Sequence, residues 1–149
     1  MESALGMLAK MSGNLNLAKL HLARALQSAT LIDDRGAEMR AMYQLGLLAV
    51  VGQKWERAAS LFETADRQAQ AIKEDRLAYV VCAGIMNHLC DNHEKANSHI
   101  DIAHQIVEQD KKKSAIILSN LGNNFLAIDE AGLAIEAVSY THLTLPTKA

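Results

Sequence analysis

The side chains with the widest chemical reach sit in one short segment, His88-Leu89-Cys90-Asp91-Asn92-His93, followed by His99 and His104. Imidazole and thiolate are ligands that zinc favours, and zinc wants about four of them converging near 2 Å. The spacing works against convergence. His88 and Cys90 are two residues apart, so on a helix they point in different directions. His93 lies past a turn, and His99 and His104 are also badly spaced to meet. These histidines read as structural or surface groups that could confer some pH sensitivity, and no metal is expected.

The other reactive residue types are dispersed. Asp33, Asp34, Glu74 and Asp75 fall in polar joints and read as caps, whereas an acid–base pair needs a shared, partly buried cleft. Lys111-Lys112-Lys113, after Glu108 and Asp110, reads as a solvated joint whose lysines complement the dipole of the preceding helix. The glycines are too scattered for a phosphate loop, and no nucleophile motif occurs. Neither catalysis nor a cofactor is expected.

Composition narrows the partner classes. Half of the 149 residues are apolar and the net charge is -2, so the basic excess that nucleic acid or an anionic membrane surface requires is missing. No apolar run reaches the roughly 18 residues of a spanning helix. The two cysteines, Cys82 and Cys90, would lie about 12 Å apart on one helix, too far for a disulfide. A reducing, cytoplasmic setting is expected.

The single proline is Pro146, close to the C-terminus, while alanine and leucine abound; that mixture favours helix almost throughout. Helices are predicted at 2–12, 15–32, 37–51, 55–72, 76–89, 93–109, 114–127 and from 130 onward. Polar turns at Gly13-Asn14, Gly52-Gln53, Asp91-Asn92 and Asp129-Glu130 lie within pairs of helices. The joints Asp33–Gly36, Lys73–Arg76 and Gln109–Ser114 lie between pairs.

The chain repeats itself. Leu5-Gly6, Leu45-Gly46, Ala83-Gly84 and Leu121-Gly122 recur at spacings of 40, 38 and 38 residues. Thirteen residues after each pair begins comes Ala18, Ala58, Ala96 or Ala134, and four further on a large apolar residue, Leu22, Phe62, Ile100 or Val138. Mid-helix glycine costs about 1 kcal/mol relative to alanine, so four in register require close approach of a second helix. Gly6, Gly46, Gly84 and Gly122 are expected to meet the alanines Ala18, Ala58, Ala96 and Ala134 there, with the large residue filling the remaining space.

This pattern resembles the tetratricopeptide repeat (TPR) family over residues 1 to about 137. Trp55 stands where the family commonly places an aromatic at the start of its second helix. The units are longer than the usual 34 or so residues and lack its terminal proline, and so look like the repeats of bacterial signalling proteins. The resemblance implies an all-α, right-handed α-solenoid with units at about 1–34, 35–74, 75–112 and an incomplete 113–137.

It also implies a protein- or peptide-binding scaffold or sensory module. Its concave groove is lined by the first helix of each unit: Met7, Lys10 and Met11, then Arg40, Tyr43, Gln44, Leu47 and Val51, then Val81, Ile85, His88 and Leu89, then Ser119, Asn120 and Asn123. The alternative for these residues is packing against neighbouring helices. The alternative for the function is the regulatory array of a larger signalling enzyme or transcriptional activator whose output domain is missing from this fragment.

Residues 138–149, Val-Ser-Tyr-Thr-His-Leu-Thr-Leu-Pro-Thr-Lys-Ala, depart from the repeat and resemble the one-frame translation of a transposase sequencing adapter. They are expected to be foreign to the natural sequence, and the array to be a piece of something larger. An array cut between units exposes an apolar face, a candidate for self-association. If the repeat register is right, Gly84→Leu should cost more than about 2 kcal/mol by separating the helices of the third unit. A melting curve little changed by that substitution would show the register to be wrong.

Overall fold

The computed structural model describes residues 15–128, and among them every regular element is an α-helix. The six are α1 (Leu15–Leu31), α2 (Arg35–Val51), α3 (Trp55–Ala71), α4 (Leu77–Leu89), α5 (His93–Gln109) and α6 (Lys111–Ala127). The predicted boundaries hold within two residues except at the start of α6. The expected helices at 2–12 and from 130, with Gly6 and Ala134, lie outside the described residues, as do Met7, Lys10 and Met11.

Each helix packs on its neighbour in sequence, and α4 also meets α6. The core is organised around α4, whose residues from Val80 to Asn87 are all buried. Its sequence, Leu-Ala-Tyr-Val-Val-Cys-Ala-Gly-Ile-Met-Asn-His-Leu, is apolar on nearly every side until its last turn, and a helix apolar all round must be covered all round. Phe62 of α3, Val107 of α5, and Leu118, Leu121 and Phe125 of α6 belong to the same core.

The turns share one construction. Asp33, Gln53, Lys73 and Asp91 adopt left-handed φ of 56°, 56°, 57° and 60°. At each, the following N–H reaches back five residues: Asp34 to Ala29, Lys54 to Ala49, Glu74 to Ala69 and Asn92 to Asn87, at 2.8–2.9 Å. These are Schellman closures of α1, α2, α3 and α4. None of the four has glycine at the left-handed position; Gly52, which marks a turn in the sequence, has φ −82° and leaves that role to Gln53. Asp34 and Asn92 then cap the next helix, accepting from the Ala37 and Lys95 N–H groups.

The α5–α6 connection differs, and here the sequence expectation is corrected. Asp110 is extended (φ −155°) and its side chain accepts from the Lys113 N–H at 3.0 Å, so it ends α5 and starts α6 by itself. Lys111–Lys113 are therefore the first turn of α6 rather than a joint. They sit at its positive end, which disfavours them, and two find carboxylates: Lys113 pairs with Asp75 at 3.1 Å and Lys111 with Glu108 at 3.7 Å.

Ala18, Ala58, Ala96, Gly46, Gly84 and Gly122 are all buried. At Gly46 the partner can be named. A Cβ there would stand 2.5 Å from Cε1 of Phe62 and 2.8 Å from its Cζ, so this glycine makes room for the aromatic ring. The ring is fully buried and lies against Tyr43, with centroids 5.9 Å apart, which leaves it little freedom to retreat. Helix propensity alone would make Gly46→Ala stabilising by about 1 kcal/mol; overpacking is expected to reverse the sign, to a net loss of about 1–3 kcal/mol in urea denaturation. A gain would mean that the Phe62 ring can yield.

Candidate functional site

The expected groove residues divide sharply by burial. Leu47, Val81 and Ile85 are fully enclosed in the core, which corrects their assignment to a binding surface. The cause is the position of α4, whose apolar side chains need cover on the side where a groove would open. Tyr43, Gln44 and Val51 are half-buried, and Val51 packs against the same core. Arg40, His88, Leu89, Ser119, Asn120 and Asn123 remain exposed.

Tyr43 shows how closely α2, α4 and α6 approach. Its ring meets Tyr79 of α4 edge-on, with centroids 5.4 Å apart, and its hydroxyl accepts from Asn124 Nδ2 of α6 at 2.8 Å. One side chain thus contacts α3, α4 and α6. Burial pushes its phenol far above the ordinary range, the nearby Cys82 adding to the rise and the Asn124 bond opposing it.

What stays outside is a stripe on α6. Ile116 and Leu126 are 62% and 56% exposed, and Ser119, Asn120 and Asn123 fall between them at steps of three and four, the spacing of one helix face. Apolar side chains flank a cluster of hydroxyl and amide groups.

Two polar clusters lie between helices, and sequence reasoning did not single them out. Asp66 is buried on α3 and receives Arg76 in a two-pronged pair, Nε to Oδ1 at 2.7 Å and Nη2 to Oδ2 at 2.9 Å, with Gln70 donating to Oδ2. The available signal was position: Asp66 adjoins Ala65 and precedes Ala69 on the buried stripe of α3. In the second cluster Asn87 Nδ2 donates to Glu63 Oε2 at 2.8 Å and to the Ala83 carbonyl. Lys95 and His99 stand 3.5 Å from the same carboxylate. The clue there was an asparagine inside an apolar run.

Glu63 and His99 have the composition of an acid–base pair, but the surroundings oppose that use. Desolvation raises the Glu63 pKa; the Asn87 hydrogen bond, Lys95 and His99 outweigh it and leave the carboxyl below its ordinary value. A carboxylate held ionised in this way is a poor proton acceptor near neutral pH and a good anchor between α3, α4 and α5.

The thiols are no more reactive. Burial raises Cys82; Cys90 is raised by desolvation and then by Glu56, Asp91 and Glu63, so neither is activated as a nucleophile. The two are free. Trp55 opens α3 as expected and packs against the core.

A cavity of about 220 Å³ lies where α1, α2 and α3 meet, floored by Leu45, Leu48 and Ala49 and rimmed by Lys19, Lys54 and Arg57. It is separate from the expected groove. No family model and no curated protein matches the chain. Among the described residues no helix is long and apolar enough to cross a membrane.

The Glu63 anchor makes a pH prediction. Its folded pKa lies below the unfolded one, so its stabilisation is complete above the ordinary carboxylate range and is lost as pH falls through the depressed value. Glu63→Gln should therefore lower stability at neutral pH, with the gap to the unaltered chain closing on acidification below the ordinary carboxylate range. A gap of constant size in urea melts across that range would show that ionisation of Glu63 contributes nothing.

Proposed function

We propose that this chain is a segment of a TPR-like, right-handed solenoid that works by binding a protein or peptide partner. The reading draws support from the 38–40-residue recurrence of buried small residues and from left-handed turns at Asp33, Gln53, Lys73 and Asp91. Regular turns of one construction would keep successive helix pairs in similar relation, which is the mechanical basis of a solenoid.

The single observation that carries the functional part is the outer stripe of α6. Exposed isoleucine and leucine on one helix face, with Ser119, Asn120 and Asn123 between them, suit an amphipathic helix or an extended peptide. Such a partner would bury the apolar side chains at the flanks and hydrogen-bond to the amides at the centre. The contact surface thus shifts from the middle of the expected groove to its last helix. Arg40, His88 and Leu89 stay accessible on α2 and α4 as further contacts.

Peptides selected from a displayed library against the full chain provide the test, with fluorescence anisotropy as the readout. Ile116→Glu is expected to weaken the selected peptides at least about tenfold, since it buries a charge where an apolar anchor stood. Asn123→Ala should weaken them less. Peptides that bind Ile116→Glu as tightly as the unaltered chain would place recognition elsewhere. Loss of a concentration-dependent dimer in the same variant, with no peptide selected, would replace the foreign partner by a second copy of this chain.

A further inference from the structure

The turn between α4 and α5 brings together two side chains whose spacing in the sequence argued against convergence. His88 leaves the last turn of α4 and His93 opens α5, and the three-residue turn folds the second ring back over the first. Their Nδ1 atoms stand 3.2 Å apart, with ring centroids at 4.9 Å and planes inclined at 62°. Both imidazoles are exposed.

We propose that His88 and His93 form a two-histidine chelating site for a divalent transition metal, Zn²⁺ or Cu²⁺. The argument starts from the separation. Two nitrogens 3.2 Å apart, each bonded to a metal at about 2.0–2.1 Å, enclose an angle of about 100° at the ion. That lies between the square-planar and tetrahedral values, so the separation itself suits one shared ion. Imidazole is the ligand both ions favour. No group of three or more such side chains gathers among the described residues, so two ligands come from these residues and water can complete the shell.

Asp91 Oδ1 stands 3.8 Å from His93 Nε2, so a carboxylate adds negative charge near the pair, which favours a cation. Ligation through Nδ1 requires each ring to carry its proton on Nε2.

Left-handed Asp91 and the Asn92 cap hold the turn in the geometry that creates this separation. Ligation would in turn clip the end of α4 to the start of α5 across Cys90–Asn92. The site shares no residue with the stripe on α6, although His88 is also one of the further contacts for a partner.

The test is calorimetric titration of the full-length chain with zinc chloride, paired with electron paramagnetic resonance of the Cu²⁺ complex. One ligand already bound presents the second at high effective concentration, so removing either should weaken binding at least about fivefold. His88→Ala and His93→Ala are both expected to do so, the double variant to lose little more than either alone, and the Cu²⁺ spectrum to change from two coordinated imidazole nitrogens to one. A smaller loss in either single variant, a double variant that keeps the unaltered affinity, or the absence of a saturable site would overturn the proposal. Unchanged circular dichroism of the variants separates loss of ligands from loss of fold.

Discussion

The structure depends on the need to cover α4. A helix with Val80, Val81, Cys82, Ala83, Ile85 and Met86 in succession has no polar face to leave in water. Burying one such side chain is worth about 1.5–3 kcal/mol, so exposing even two would consume much of a domain's usual net stability. α3, α5 and α6 contribute to the cover, and Leu47 of α2 joins the same core. The Tyr43–Asn124 hydrogen bond is the outward sign of that closure: α2 and α6, 81 residues apart at the bonded side chains, approach within reach of one phenol. A groove deep enough to expose Val81 and Ile85 is incompatible with this arrangement.

Covering an apolar helix does not by itself fix how its neighbours sit, because apolar contacts tolerate sliding. The polar clusters supply direction. Asp66 and Arg76 meet in a two-pronged geometry that tolerates little displacement of the start of α4 relative to α3. A largely buried pair of this kind adds little net stability compared with an apolar replacement, but breaking it strands a charge. Glu63 acts similarly, collecting Asn87 from α4 and Lys95 and His99 from α5. Register between three helices is thereby defined by groups that must meet atom to atom.

The helices were legible in the sequence because composition and periodicity agree there. Alanine-rich and leucine-rich segments carry their own propensity, and polar turns interrupt them at regular intervals. The small residues were legible too, since a mid-helix glycine such as Gly46 has few reasons to exist other than close contact; that it faces the ring of Phe62 rather than only an alanine needed coordinates. The left-handed turn positions were hidden because Asp33, Gln53, Lys73 and Asp91 are not glycine; the closing backbone hydrogen bonds offset a local cost of about 1 kcal/mol each. The burial of Leu47, Val81 and Ile85 was hidden for a different reason. Carrying residues over by position assumes that equivalent helices are equally exposed, whereas α4 is central and α6 peripheral, so Ile85 and Asn123, equivalent in the repeat, end up in core and solvent. The His88–His93 contact was missed because spacing rules describe a continuous helix and fail across a turn that reverses the chain.

One irregularity ties these strands together. The connections 32–34, 52–54 and 90–92 are three residues long, and in each the helix begins two residues after the left-handed one. After Lys73 the chain waits four, and α4 has 13 residues where the other described helices have 17. The two extra residues outside the helix are Asp75 and Arg76, and both are engaged: Arg76 by Asp66 and Asp75 by Lys113 at the start of α6. Had α4 begun at residue 75 like its counterparts, these side chains would be tied to its first helical turn, and a basic residue there opposes the helix dipole. The late start therefore trades two helical residues for a buried anchor to α3 and a surface contact to α6. The other turns share one construction; this departure fixes how the most apolar helix is seated.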